Sequence, residues 1–167
     1  QAHNLLKISQ SGVSDSLISS RRNPLVKRLR SLSSRKGRED EELLLLEGTH
    51  LLQELIRCNL KPVELVATER WCQHHLHLLE ELGDSTPRRL VTDEVLTAAL
   101  STTTPDGVAC VCPFNVLPNP PTDVHFLLVL DRIQDPGNLG TLLRTALAAD
   151  VQNVWLGSGV DPLGSKS

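Results

Sequence analysis

The stretch 127–149, with the sequence LLVLDRIQDPGNLGTLLRTALAA, decides the fold of the second half of the chain. It predicts an apolar strand, a turn and a helix in immediate succession. The apolar run 125–130 has the length and branching of a buried parallel strand. In the turn 135–138 we expect Gly137 to take a positive φ and Asn138 to cap the helix.

The helix after this turn carries one strong base within an otherwise apolar pattern. Apolar residues recur along it at helical spacing: Leu139, Leu142, Leu143, Ala146 and Leu147. Arg144 interrupts the pattern close to a face that we expect to pack, and a buried or half-buried arginine is costly unless it meets an anion. The residues alone leave two interpretations open, an anion-binding site or an ordinary strand–turn–helix unit whose arginine makes a surface ion pair.

The polar residues of this stretch resemble a known motif. The pattern Asp-x-x-x-Asp-Pro-x-Asn-x-Gly-x-x-x-Arg-Thr-Ala is similar to the first motif of the SpoU/TrmH RNA 2′-O-ribose methyltransferases, within the knotted SPOUT superfamily. Asn138, Gly140 and Arg144 fall on the motif positions. The resemblance implies that Arg144 is the catalytic residue acting on the ribose 2′-OH, and that Asn138 braces the active-site loop or the ribose.

The same resemblance implies the reaction. A methyl group would pass from S-adenosyl-L-methionine to a ribose 2′-OH of structured RNA, either rRNA or tRNA, without a metal, and the complete enzyme would be a homodimer. The second and third motifs of the family, which form the cofactor-binding trefoil knot, have no match in the sequence. We therefore expect the cofactor-binding residues beyond Ser167, and a truncated methyltransferase that is inactive as the 167-residue chain alone.

Basic residues are concentrated near the beginning of the chain, although the formal net charge is −3. Eight of the 17 lysines and arginines lie within 21–38, with no acid among them. Asn23 followed by a proline predicts the start of a helix with an apolar stripe on one face. We interpret this segment as a polyanion-binding surface rather than a solvated helix face. The predicted RNA-binding residues are Arg21, Arg22, Asn23, Lys27, Arg28, Arg30, Arg35, Lys36 and Arg38.

The segment 18–112 alternates predicted strands and helices, which is typical of an α/β sandwich. The strands are expected at 43–46, 63–67, 88–91 and 108–112, and the helices at 49–58, 70–82 and 93–100. Three runs in it, SSRRNPLVKRLRSL, LLLLEGTHLLQELI and TDEVLTAALSTTTPDGVACV, resemble the substrate-binding domain that precedes SpoU-type catalytic domains. The resemblance implies a fold related to a ribosomal RNA-binding protein, and a role in holding the RNA.

The predicted fold class is α/β, in four segments. These are a disordered leader at 1–17, an RNA substrate-binding α/β sandwich at 18–112, a proline-rich linker at 113–124 and the first part of a SPOUT parallel-sheet domain, knotted and Rossmann-like in the family, at 125–167. The last segment offers two strands and one helix, which cannot bury both faces of a parallel sheet.

Cysteines and histidines give no catalytic or metal-binding pattern. The four cysteines lack C-x-x-C spacing, so we expect reduced thiols of a cytosolic type, with Cys110 and Cys112 on one face of a strand. His74, His75 and His77 are expected at the surface of their helix. No metal site and no membrane span are predicted, and the expected location is the cytoplasm, with an organelle left open.

Two other functions remain open from the sequence. The chain could be an RNA-binding module without catalysis, because the cofactor site is missing. It could also be a protein-interaction domain whose basic helix docks an acidic partner. A dinucleotide site is excluded, because Gly137 and Gly140 do not form the G-x-G-x-x-G pattern.

Overall fold

Residues 16–116 build a four-stranded sheet with helices on both faces. The structure is a computed structural model that describes residues 16–116, 125–160 and 162. The strands are β1 (Leu43–Glu47), β2 (Glu64–Thr68), β3 (Arg88–Val91) and β4 (Val108–Pro113), in the spatial order β1-β4-β2-β3. β4 is antiparallel to both of its neighbours, whereas β2 and β3 are parallel.

Six helices accompany this sheet. They are α1 (Pro24–Ser31), α2 (Arg35–Glu41), α3 (Thr49–Arg57), α4 (Glu69–His74), α5 (Leu76–Leu82) and α6 (Asp93–Ala99). A short 3₁₀ turn, Phe114–Val116, follows β4. The predicted α/β sandwich is confirmed, because each face of the sheet packs against its own set of helices.

The alternation of side chains along β4 divides the interior into two cores. Cys110 and Cys112 point to the first core, which contains leucines of α3 and α5 and the indole of Trp71. Ala109 and Val111 point to the second core, which contains the apolar residues of α1 and α6. Cys110 and Cys112 therefore share a buried face, as their spacing predicts, and both remain free thiols.

Two details of this region differ from the predictions. The expected helix 70–82 is broken at His75, whose backbone leaves the helical region at φ −127° and ψ 36°. The His75 ring stacks on the Trp71 ring at 4.5 Å, and its Nδ1 lies 2.9 Å from the Trp71 carbonyl oxygen, which a continuous helix would pair with a backbone N–H. In addition, the helix expected from Asn23 through Arg35 is divided into α1 and α2, and the Ser34 hydroxyl caps α2 by accepting from the backbone N–H of Gly37.

Residues 125–160 contain a second, parallel pair of strands, β5 (Leu127–Leu130) and β6 (Asn153–Leu156), connected through α7 (Pro136–Ala148). The predicted strand, turn, helix and strand are confirmed in this order. The expected burial of the first strand is wrong in part, because Val129 is 59% exposed. Its cross-strand partner Trp155 is 62% exposed, so one face of this pair remains open among the described residues.

The cap of α7 also corrects the sequence interpretation. Asp135, not Asn138, is the N-cap residue, and its Oδ1 accepts from the backbone N–H groups of Gly137 at 2.7 Å and Asn138 at 3.2 Å. Gly137 lies inside the helix and does not take a positive φ. The reason is Pro136, because proline favours the first helical position and the residue before it then becomes the cap.

The predicted segment boundaries fall partly outside the described residues. This holds for 1–15 of the leader and for 117–124 of the linker. At the start of the linker range, Pro113 still belongs to β4, and Val116 is buried in the first core. Across the described ranges, none of the helices combines the length and apolar character needed to traverse a bilayer.

Candidate functional site

Helix α1 holds the basic segment in place through its apolar side. The side-chain oxygen of Asn23 accepts from the backbone N–H of Leu25 at 2.9 Å, which fixes the first turn, and proline follows at the first helical position. Leu25, Val26 and Leu29 are buried in the second core. The basic side chains between these apolar positions are thereby directed away from the core.

The structure divides the predicted RNA-binding residues into groups. Five of them are exposed at the surface of this segment: Arg21, Arg22, Lys27, Arg30 and Lys36. Arg35 is also exposed and pairs with Glu39 at 2.8 Å, one helical turn away. Asn23 acts as the cap of α1, and Arg28 turns toward a buried carboxylate of the sheet.

Arg38 departs from the prediction, since it is only 3% exposed. Its Nη1 donates to the carbonyl oxygens of Leu32 at 3.2 Å and Ser33 at 3.1 Å, just beyond the end of α1. These carbonyls have no partner within the helix, so the guanidinium closes the C-terminal end of α1. The structure therefore gives Arg38 a structural position rather than a place on the candidate RNA-binding surface.

Glu64, Arg28 and Arg89 form a cluster that was not predicted from the sequence. Glu64 lies at the start of β2 with a side chain only 7% exposed. Its Oε2 accepts from Arg28 Nη1 and its Oε1 from Arg89 Nε, each at 2.9 Å. The partners are separated from Glu64 by 36 and 25 residues, and no local pattern links them. The one available signal was a glutamate at the edge of an apolar strand.

The cluster forms part of the wall of an open cleft of about 670 Å³ beside α1. The charged residues that line it are Lys27, Arg28, Glu41, Glu64 and Arg89. Uncharged polar groups line it as well, among them Ser16, Asn23 and Ser31. The cleft is thus continuous with the segment that the sequence predicts to bind a polyanion.

The second candidate site lies on α7, where Arg144 and Asn138 are both exposed. Arg144 lies close to the packed side of the helix in sequence, and its side chain is directed to the surface of the described residues. Arg144 Nη2 donates to the hydroxyl oxygen of Thr141 at 3.2 Å, and this hydroxyl donates to the carbonyl oxygen of Gly137 at 3.0 Å. Thr141, which the sequence analysis did not single out, therefore links the guanidinium to the first turn of the helix.

The loops after β5 and β6 lie side by side at the carboxyl ends of these two parallel strands. The backbone N–H of Gly157 donates to the carbonyl oxygen of Leu130 at 2.7 Å. A Cβ at residue 157 would lie 2.3 Å from the Oδ1 of Asp131, so a side chain here would require the Asp131 carboxylate to move. In the described ranges, His, Cys, Asp and Glu side chains do not gather in groups of three or more that could hold a metal ion.

Buried thiols take no part in either site. Burial raises the pKa of Cys72, and it raises the pKa of Cys112 to about 11. Burial, together with the neighbouring Cys112, raises the pKa of Cys110 further still. These thiols therefore stay protonated at neutral pH, and because the thiolate is the reactive form, they are poor nucleophiles and poor metal ligands.

Comparison with known proteins connects this geometry to a family. Residues 23–110 match the model of the MRM3-like substrate-binding domain, which is more than half of the chain. An uncharacterised tRNA/rRNA methyltransferase of Synechocystis, slr1673, is 42% identical over 152 residues, covering 89% of this chain and 56% of that protein. The 23S rRNA (guanosine(2553)-2′-O)-methyltransferase RlmP of Bacillus subtilis is 30% identical over 142 residues, covering 85% of this chain and 54% of that protein.

Solved structures agree with this relationship. The AdoMet-bound rRNA methyltransferase of Sinorhizobium meliloti superimposes with a TM-score of 0.70 at 26% identity, covering 90% of this chain and 58% of that chain. The chain spans little more than half the length of the relatives that it matches. These matches confirm the resemblance to the SpoU/TrmH methyltransferases. The chain belongs to the MRM3-like substrate-binding domain family.

Proposed function

We propose that this chain binds RNA through the exposed basic residues around α1, and that the protein it represents methylates RNA. The reaction is the transfer of a methyl group from S-adenosyl-L-methionine to a ribose 2′-OH of rRNA or tRNA. The observation that carries the proposal is the basic surface on a domain whose family model is named for substrate binding. The names of the relatives, tRNA/rRNA methyltransferase and 23S rRNA 2′-O-methyltransferase, support the substrate class.

The basic surface would contact the phosphate backbone of the RNA. Arg22, Lys27 and Arg30 are exposed, and α1 is fixed against the sheet by its buried leucines and valine. Phosphate contacts give affinity and orientation without reading the sequence, while folded RNA is recognised by shape and exposed loops. The domain would therefore hold a structured RNA, and RNA specificity would depend on the shape of the substrate.

Arg144 would act on the ribose. Literal proton abstraction by arginine is unfavourable, because a guanidinium is a very weak acid and stays protonated in proteins. A charged guanidinium can instead hold the 2′-OH in line with the methyl donor and stabilise the negative charge that develops on its oxygen. Thr141 would direct the guanidinium through its hydrogen bond, and Asn138 would brace the ribose or the loop before α7.

The cofactor, when bound, supplies a methyl group on a positively charged sulfonium. The loops after β5 and β6 fit the edge of a site for such a nucleoside-containing molecule, since α/β sheets bind these ligands beyond the carboxyl ends of their strands. The Asp131 carboxylate and the backbone of Gly157 would lie against it. We propose in addition that the protein acts as a homodimer in the cytoplasm, where rRNA and tRNA of bacterial relatives reside.

Binding of RNA tests the first half of the proposal. We expect salt-sensitive binding of a structured rRNA fragment, measured by fluorescence anisotropy between 50 and 200 mM salt. The double variant Arg22→Ala/Arg30→Ala should bind about tenfold more weakly at low salt, because two phosphate contacts are lost. Its matched control is Arg57→Ala/Arg70→Ala, which removes two exposed arginines from helices on the opposite face of the sheet. Equal losses in both variants would contradict a defined surface on α1.

Methyl transfer tests the second half. The protein expressed from its full open reading frame is incubated with rRNA and with S-adenosyl-L-methionine labelled in its methyl group. After complete digestion of the RNA, the label should be recovered as a 2′-O-methylnucleoside, and Arg144→Ala should abolish it while RNA binding is retained. Label in a base, or binding without any label, would overturn the assigned reaction, and the second result would favour a non-catalytic RNA-binding protein.

A further inference from the structure

We propose that the cleft beside α1 seats one phosphodiester group of the bound RNA between Arg28 and Arg89, and that Glu64 is a positioning residue that holds both guanidinium groups for it. This inference rests on the proposed RNA binding and assigns it a specific site. It adds Arg89 and Glu64, which lie in strands of the sheet, to a surface otherwise formed by the segment around α1.

The carboxylate of Glu64 bridges the two arginines and fixes their positions. Each carboxylate oxygen of Glu64 accepts one hydrogen bond at 2.9 Å, Oε2 from Arg28 and Oε1 from Arg89. Among the described residues, each of the two guanidinium groups donates this one hydrogen bond only. Most of their N–H donors thus remain available, and the shared acceptor fixes the two groups side by side.

The two arginines are exposed to a greater degree than the carboxylate that joins them. The Glu64 side chain is 7% exposed, whereas those of Arg28 and Arg89 are 37% and 40% exposed. A carboxylate this well buried needs its charge compensated, and the two arginines do this from the side that opens to the cleft. The remaining donors of both arginines are therefore accessible to a ligand, which is not so for Arg38.

The charge and the size of the cleft fit one phosphodiester group. Lys27, Arg28 and Arg89 give the described wall of the cleft three positive charges, and Glu41 and Glu64 give it two negative charges. Among the described residues of the wall the positive charges thus outnumber the negative ones, which favours an anionic group such as a phosphodiester. The volume of about 670 Å³ lies within the range of clefts that hold small ligands, so one nucleotide can enter.

The decisive variant is Glu64→Gln, measured for binding of the same rRNA fragment by fluorescence anisotropy. If the cleft acted only through its overall charge, removal of a negative charge would tighten binding. If Glu64 positions the arginines, binding should instead weaken about threefold or more, because the amide cannot accept two charged hydrogen bonds as well as the carboxylate. Tighter or unchanged binding by a folded Glu64→Gln variant would overturn the positioning role.

Arg89→Ala and Arg28→Ala keep the site testable should Glu64→Gln fail to fold, since each leaves Glu64 one arginine partner. Each should weaken binding about fivefold to tenfold and lower the slope of log affinity against log salt by about one unit. Arg70→Ala, an exposed arginine on the opposite face, is the control and should change affinity less than twofold. Circular dichroism and thermal melting of each variant establish that it is folded.

The outcomes separate this inference from the proposed function. If Arg22→Ala/Arg30→Ala weakens binding and Arg89→Ala does not, the surface binds RNA and the cleft assignment is wrong. If the unmodified chain binds no RNA, both proposals fail together. A third outcome is that an acidic peptide displaces the RNA, and that Arg89→Ala weakens binding of the peptide but not binding of the RNA. The cleft would then be a protein-binding site, and the inference would be overturned.

Discussion

The two parts of the molecule bury their sheets to very different degrees. In residues 16–116 every residue of β2 is buried, because helices cover both faces of the four-stranded sheet. In residues 125–160 the cross-strand partners Val129 and Trp155 are each more than half exposed. Parallel strands are normally covered on both faces. The first part thus contains its own two cores, whereas the described second part carries its site residues on a helix beside an incompletely covered sheet.

The largest expected effect tests whether residues 16–116 unfold independently of residues 125–160. Leu52→Ala removes a fully buried side chain from the first core and should lower the free energy of unfolding by about 2–5 kcal/mol. Urea unfolding followed by the fluorescence of Trp71 measures this, in a Trp155→Phe background so that only the buried indole reports. The matched variant Val129→Ala should change the same transition by less than about 0.5 kcal/mol. A comparable loss from Val129→Ala would mean that the two parts share one cooperative unit.

A smaller effect is expected at the loop before β4. Gly107 has φ +107°, and a Cβ there would lie 2.8 Å from the Cβ of Trp71. Gly107→Ala should therefore destabilise the first part by about 1–3 kcal/mol, through backbone strain and a steric clash. Gly159→Ala in the second part is the comparison, since φ is also positive there, but no atom of the described residues lies within 4 Å of the added Cβ. Hydrogen exchange measured separately in each part compares the cost of backbone strain alone, in Gly159→Ala, with the cost of strain plus a clash, in Gly107→Ala.

Loss of a helix cap should have a local effect in residues 125–160 and a wider effect in residues 16–116. Asp135→Ala removes the cap of α7 and should cost that helix about 1 kcal/mol, seen as faster amide exchange in α7 alone. Thr92→Ala removes the corresponding cap of α6, where the Thr92 hydroxyl accepts from the backbone N–H of Val95. Because α6 packs in the second core, this change should shift the urea midpoint of the whole first part. Protection lost throughout residues 16–116 in Asp135→Ala would contradict this separation.

The smallest expected effect concerns the buried thiols of β4, which change the free energy of unfolding only at alkaline pH. Below pH 9, the ordinary pKa of a thiol, Cys112 is protonated in both the folded and the unfolded chain. Above it the unfolded chain loses the proton while the folded chain keeps it up to about pH 11, so the free energy of unfolding falls as pH rises through this window. Cys112→Ala should make the alkaline fall shallower. An unchanged slope in that variant would show that Cys112 titrates alike in both states.

Elements with a local cause were predictable from the sequence. The strands followed from apolar runs, and the start of α1 followed from Asn23, whose side chain caps the next turn. The cap of α7 was misassigned because Asp135 and Asn138 both suit a cap, and the proline between them decides in favour of the first. The break at His75 depends on its stacking against Trp71, which no periodicity shows.

The candidate sites were less predictable than the secondary structure, because their contacts join residues that no local pattern connects. Counting charges located the basic segment around α1, but a count cannot tell which arginine is buried against carbonyl groups, as Arg38 is. Nor can it find the pairing of Arg28 and Arg89 through Glu64, because the three residues meet only when α1, β2 and β3 assemble. The motif around Arg144 placed it on α7, and its support by Thr141 became apparent only from the hydrogen bond.

The backbone of Ile18 protects the outer edge of the four-stranded sheet, and this affects solubility. Ile18 forms a parallel bridge with Val91, donating its backbone N–H to the carbonyl of Leu90 at 2.9 Å and accepting from the N–H of Thr92 at 3.1 Å. The outer edge of β3 is thereby partly occupied, and an unoccupied strand edge is a template for pairing with other molecules. A protein that begins at Asn23, where the family-matched range starts, would lose this protection and should form strand-paired aggregates, although all helices and strands of residues 24–116 are retained.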